Sequence, residues 1–273
     1  MKRALLAAGT AIFCLSAPAA AVQEGPDPAP APAEPNALVI FAHPDDEVTI
    51  GPLLARITRG GGQVTIVYAT SGDQGPGVSG MEKGDALAKV REGEARCAAN
   101  ALGAGEPVFL RLGDGTLAND AHFPGSAASK LLVKIRALVA DHTPDVILTW
   151  GPDGGYGHPD HRMVSALVTQ HVQMMQEGRP SLFYPAIRNG TLPPVPELQR
   201  WATTAPDLVS THVDYTAEDL SAAAKALDCH RTQFDEETRK GLIPLFDQSI
   251  WQGEIHLKHG YPEPVVPPET AED

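Results

Sequence analysis

The sequence predicts an α/β fold, a Rossmann-like, doubly wound and mostly parallel sheet with helices on both faces. Two observations carry this. Short apolar runs alternate with longer helix-compatible segments, the pattern of βαβ units. The runs are also continuously apolar, as strands are when helices cover both faces of the sheet.

Taken in order, strand-like runs fall at 37–42, 63–69 (QVTIVYA), 107–112 (PVFLRL) and 145–150 (DVILTW). Helices are expected between them at 47–59, 84–102 and 128–141. Gly60, Gly61, Gly62 and Gly103 stand where helices should stop, since glycine accepts the left-handed residue that closes a helix. A long helix is expected over 161–177, then a Pro-rich stretch, 179–215, with two further strands (SLFYPA and LVSTHVDY). The last expected helix starts at Thr216, with Glu218 and Asp219 in its first turn.

The ends read differently. Residues 1–21 have a basic start, an apolar stretch and an Ala-x-Ala close, the form of a cleaved signal peptide. That predicts a secreted or periplasmic protein without a transmembrane anchor, because no later run approaches spanning length. Residues 22–36 read as a Pro/Ala-rich linker, 37–261 as one domain and 262–273 as a disordered acidic tail. The net charge of −13, without Lys/Arg clusters, excludes binding nucleic acid through a basic face. Cys97 and Cys229 remain after the signal. Two cysteines so far apart read equally as a disulfide or as two buried thiols.

The chemistry concentrates at two copies of His-Pro-Asp, 43–45 and 158–160, each between a strand-like run and a helix-like segment. The first continues with Asp46 and Glu47, the second with His161. Acids at a helix start most often cap orphan amides. Three in a row, however, repel one another unless something positive neutralises them. In a doubly wound sheet the first and fourth strands are commonly neighbours where strand order reverses, and ligands bind there. The two motifs would then face each other across one crevice. Two imidazoles and a carboxylate with an open position suit catalytic Zn2+, and Fe2+ accepts the same donors.

"AHPDDE" with "GGYGHPDH" resembles the PIG-L or LmbE-like zinc-dependent N-acetylglucosaminyl deacetylases. Softer matches are REGEARCAANALGA (91–104), RLGDGTL (111–117) and ALDCHRTQF (226–234). The resemblance implies that His43, Asp46 and His161 hold zinc and that Asp45 is the general base. It implies that His158 steadies the oxyanion or protonates the leaving amine, with Asp160 orienting a histidine. It places Arg91, Asp114 and Tyr156 near substrate, and His230 near the site. The expected substrate is an N-acylated amino sugar or glycoconjugate. A metal-dependent amidase on a non-sugar conjugate, or a non-catalytic carbohydrate-binding protein, would use the same scaffold. A spare Asp45 favours an enzyme, because binding needs ligands but no additional base.

Overall fold

The computed structural model describes residues 34–261. The signal-like segment, most of the expected linker and the acidic tail lie outside the described residues. The order is β1 (Asn36–Phe41), α1 (Gly51–Arg59), β2 (Gln63–Tyr68), α2 (Asp85–Ala101), β3 (Val108–Phe109), α3 (Ala127–His142), β4 (Val146–Thr149), α4 (Pro159–Met174), β5 (Ser181–Pro185), β6 (Thr211–Asp214), α5 (Ala217–Cys229), α6 (Glu236–Phe246) and β7 (Glu254–His259). These strands form one sheet, ordered β3-β2-β1-β4-β5-β7-β6. The first five are parallel, whereas β7 runs antiparallel to both β5 and β6.

Strand β1 shows why its run is apolar throughout. Ala37, Val39 and Phe41 enter one core, with residues of α1, α2 and α5. Leu38 and Ile40 enter the other, with residues of α3 and α4. β1 pairs with β2 on one side and β4 on the other. Strand order therefore reverses between β1 and β4, and the residues after both strands open into one crevice.

Four expectations need correction. The segment 47–59 begins as a 3-10 turn, Asp46–Ile50, and becomes α-helical only at Gly51. The third strand shrinks to two residues. α6 and β7 were not expected; α6 carries a proline, Pro244, inside it. The expected linker meets the domain early, since Glu34 pairs with Arg56 at 3.4 Å and Asn36 already belongs to β1.

Cys97 of α2 and Cys229 of α5 form a disulfide, 132 residues apart in sequence. Closing so long a loop constrains the unfolded chain. Reduction, or Cys229→Ser, is expected to lower unfolding stability by about 2–4 kcal/mol. Urea midpoints with and without reductant measure this, and coincident midpoints would count against it.

Candidate metal centre and active site

The two His-Pro-Asp copies end differently. In the second, His158 caps α4 and Pro159 takes the first helical position, as expected; the His158 Nδ1 accepts the Asp160 amide at 3.1 Å. In the first, Asp45 is left-handed (φ 108°, ψ −17°) and the turn starts one residue later. A non-glycine residue there is strained, and such strain persists only where its surroundings impose it. Here Glu47 Oε2 accepts the Asp45 amide at 3.1 Å, and Arg91 donates to the Pro44 carbonyl at 2.6 Å and to the Asp45 carboxylate at 3.1 Å. Arg91 also donates to the carbonyls of Gly72 and Gly75. Gly72 (φ 66°) admits it only because it lacks a side chain: a Cβ there would lie 2.2 Å from the guanidinium.

With Asp45 turned aside, Asp46 folds back into the crevice. Its Oδ2 accepts the amides of Ala42 and His43 at 3.0 Å each and the Trp150 indole N–H at 2.8 Å. Its Oδ1 is left 3.2 Å from His161 Nε2 and 3.9 Å from His43 Nδ1. The two imidazole nitrogens are 3.1 Å apart. Hydrogen bonds on the far side of each ring fix the tautomers. His161 Nδ1 lies 3.1 Å from the Gly154 carbonyl and so must donate to it. His43 Nε2 faces Asp114 at 3.0 Å and Asp160 at 3.4 Å, and so donates there. Both remaining nitrogens then aim lone pairs at the same point as the Asp46 oxygen. Tetrahedral donors about 2.0–2.1 Å from zinc stand about 3.4 Å apart, and the three separations here bracket that edge. Lone pairs so converged call for a positive charge among them, a metal ion or a proton on one of the rings.

The electrostatics agree. Burial alone would lower the His43 ring, but hydrogen bonds to Asp114 and Asp160 and the charge of Asp46 outweigh it and lift the ring to about 10. The pocket is thus built around one positive charge. Burial opposes ionisation of Asp46, yet His161, His43 and the indole hold it far below the usual carboxylate range. Burial pushes Asp45 up to about 6 against the pull of Arg91. His158 is lowered by burial and by the neighbouring His43 and His161, so it stands neutral with its proton on Nε2.

Asp45, Asp46, His161 and Tyr156 line one open cavity of about 830 Å3. His43 and His158 are not among its lining residues, and neither are Arg91 and Asp114, which were expected near substrate. Arg91 is 4% exposed and spent on the backbone around Asp45, while Asp114 backs His43 and accepts the Gln74 amide. Both position other groups from behind. Asp160 is buried by the Gly115 and Leu117 amides as well as by His43. Tyr156 meets the His161 ring edge-on, and Arg200 lies over it at 4.8 Å.

Sequence reasoning left several contributors unassigned. Trp150 stacks on His161 with centroids 4.4 Å apart and planes 4° apart; its place at the end of the DVILTW strand was the available signal. Glu47, which as an acid at a helix start could simply have capped amides, is fully buried between the His230 Nε2, the Tyr68 hydroxyl at 2.8 Å and the Asp45 amide. His43 also converges with His158 and His161 and, separately, with Asp114 and Asp160, and a further group, His212, Glu254 and His256, stands apart on β6 and β7. The positive charge of Arg188 bears on His256 there, which opposes a cation.

Fold and site together define a class: an α/β protein with a candidate mononuclear metal centre at the switch point of a parallel sheet. The comparisons with known proteins narrow this to a family. Residues 38–172 match the PIG-L model, described as GlcNAc-PI de-N-acetylase. A 1D-myo-inositol 2-acetamido-2-deoxy-α-D-glucopyranoside deacetylase of Saccharomonospora viridis is 34% identical over 72% of this chain and 84% of its own length. One of Mycobacteroides abscessus is 30% identical over 72% and 80%. The chain belongs to the PIG-L family. It spans only about half of other such relatives, 54% of the Rhodococcus opacus protein at 35% identity.

Among solved structures, N,N′-diacetylchitobiose deacetylase from Pyrococcus horikoshii superposes with TM-score 0.60 at 19% identity, covering 82% of this chain and 83% of that one. A 4-carboxy-2-hydroxymuconate hydratase from Pseudomonas putida superposes with TM-score 0.58 at 18% identity, covering 83% and 96%. The same scaffold thus carries different chemistries, and the likeness concerns the fold. The relatives also correct one expectation. The aligned inositol-glycoside deacetylases count against export, so the secreted or periplasmic placement read from residues 1–21 is withdrawn.

Proposed function

We propose that this chain is a metal-dependent N-deacetylase that hydrolyses the amide of an N-acetylated amino sugar. His43, Asp46 and His161 would hold the metal, with zinc the favoured ion. The observation that carries the proposal is the three-atom donor set, with tautomers fixed from behind, next to a carboxylate that is not part of it. The relatives' substrate, an acetamido sugar glycoside, supplies the chemical class.

An amide resists water because water is a weak nucleophile and an amine a poor leaving group. Zinc so held would bring the pKa of water from about 15.7 to about 7 and polarise the acyl oxygen. The chain's own residues do the rest. Asp45, 20% exposed and facing the cavity, takes the proton of the attacking water. Neutral His158 donates its Nε2 proton as a hydrogen bond to the oxygen that becomes negative, in a pocket where such a bond is worth most. Asp45 then returns its proton to the departing amine. Arg91 keeps the Asp45 carboxylate in place throughout, and Asp114 and Asp160 keep the His43 tautomer.

Metal content tests the donor set directly. Wild type loaded with zinc and dialysed is expected to retain about one ion per chain by elemental analysis, and His43→Ala and His161→Ala far less while remaining folded by circular dichroism. Full retention in either variant would exclude that residue as a ligand.

A further inference from the structure

The cavity next to the metal centre is larger and more apolar than an acetamido sugar requires. One wall is Val195, Leu198 and Trp201, from the segment between β5 and β6. The opposite wall is Phe234, Leu242 and Leu245, on and just before α6. Five of these six side chains are only partly buried, Leu198 being the exception. They are apolar surface left open inside a concavity, and covering it is favourable for any ligand able to do so. Asp45 and Asp46 line the cavity at the candidate metal centre, whereas its other charged residues, Glu197, Arg200 and Glu237, are exposed. Thr49, Tyr156, Gln233 and Thr238 also line it, but apolar surface predominates.

A polyol such as inositol would fit this interior badly. Each hydroxyl moved from water against leucine, valine and phenylalanine loses hydrogen bonds that the wall cannot replace. An acetyl methyl group, for its part, would fill only a small fraction of about 830 Å3. The unfilled apolar space therefore belongs to whatever the sugar carries.

We infer that the substrate of this chain is an N-acetylated amino sugar bearing an apolar aglycone, aryl or alkyl, which lies between the β5–β6 segment and α6. This rests on the deacetylase reading above and departs from the inositol glycoside for which the aligned relatives are named. Trp201 and Phe234 are the faces on which an aryl group stacks, and Leu242 and Leu245 the surface an alkyl chain covers.

The test is acetate release by the zinc-loaded enzyme from five compounds: free N-acetylglucosamine, its inositol glycoside, its phenyl and octyl glycosides, and N-octanoylglucosamine (followed by amine release). The expected result is a kcat/KM at least tenfold higher for the phenyl or octyl glycoside than for the inositol glycoside, with that ratio shrinking severalfold in Leu245→Gln. Because Leu245→Gln could disturb α6, Trp201→Ala on the opposite wall is measured in parallel and is expected to shrink the same ratio. An inositol glycoside turned over as fast as both apolar glycosides overturns the inference and leaves the deacetylase reading standing. A preference for N-octanoylglucosamine over both overturns it too, by assigning the apolar wall to the acyl chain. If none of the five is hydrolysed, the deacetylase reading itself fails.

Discussion

Asp45→Asn is expected to lower kcat by about a hundred- to ten-thousand-fold while metal content and melting temperature stay at wild-type values. Asparagine keeps the shape and can still accept from Arg91, so the strained turn at 45 survives. What it loses is the ability to take a proton. The pH profile adds a second signature. Burial raises the Asp45 carboxyl to about 6 despite Arg91, and a divalent cation nearby would add to the pull of Arg91. The wild-type kcat/KM should therefore fall on the acid side with a midpoint at or below about 6, as the base becomes protonated. In Asp45→Asn that limb should vanish. A variant that keeps a tenth of the activity, or keeps the limb, would remove Asp45 from the proton transfer.

Glu47→Ala is expected to produce the largest loss of stability. Glu47 and His230 are both fully buried and paired, with the Tyr68 hydroxyl on the other carboxylate oxygen. Removing one partner of a buried pair leaves an uncompensated charge and costs about 3–5 kcal/mol, or roughly 10 °C in a domain of this size. The pair's pH window follows from two opposite shifts. Burial opposes both charged forms, but each partner's charge prevails, so Glu47 is depressed below 4.5 and His230 raised above 6.5. The Glu47 share is present above pH 4.5 and is lost as pH falls through its lowered folded pKa. The His230 share is present below pH 6.5 and is lost as pH rises through its raised folded pKa. The contribution is therefore greatest between about 4.5 and 6.5.

A double variant, Glu47→Met with His230→Leu, separates support from stability. Replacing both charges with apolar groups should recover much of the melting temperature. Activity should stay low, because the Asp45 amide still lacks its acceptor and the left-handed turn is no longer imposed. Recovery of both together would mean that Glu47 serves stability alone.

Much of the molecule was legible beforehand. Strands β1, β2 and β4 stand where continuous apolar runs put them, and both His-Pro-Asp motifs follow strands that prove adjacent. What escaped is instructive. β7 (EIHLKH) has only two apolar residues, Ile255 and Leu257, and four that are charged or histidine, so it lacks the continuous apolar run that marked the parallel strands. α6 contains Pro244, which reads as a helix breaker when only the sequence is at hand. Arg91 and Asp114 were read as substrate residues because they belong to the matching motifs. In the structure both are buried, Arg91 against the Asp45 carboxylate and Asp114 against the His43 ring.

The sequence by itself determined the α/β order of the elements, the two strand-end motifs and the kinship with the PIG-L family. Those signals are local: hydrophobic period, terminating glycines, and short runs of residues whose chemistry survives in any register. Tertiary structure decided which nitrogens and oxygens meet, that Cys97 finds Cys229, and that Asp45 is twisted out so that Asp46 can turn in. His43 and His161 are 118 residues apart, and Glu47 and His230 are 183 apart. Nothing in the spacing of such pairs encodes an ångström-scale distance. It arises only when packing on both faces of the sheet fixes where each strand ends.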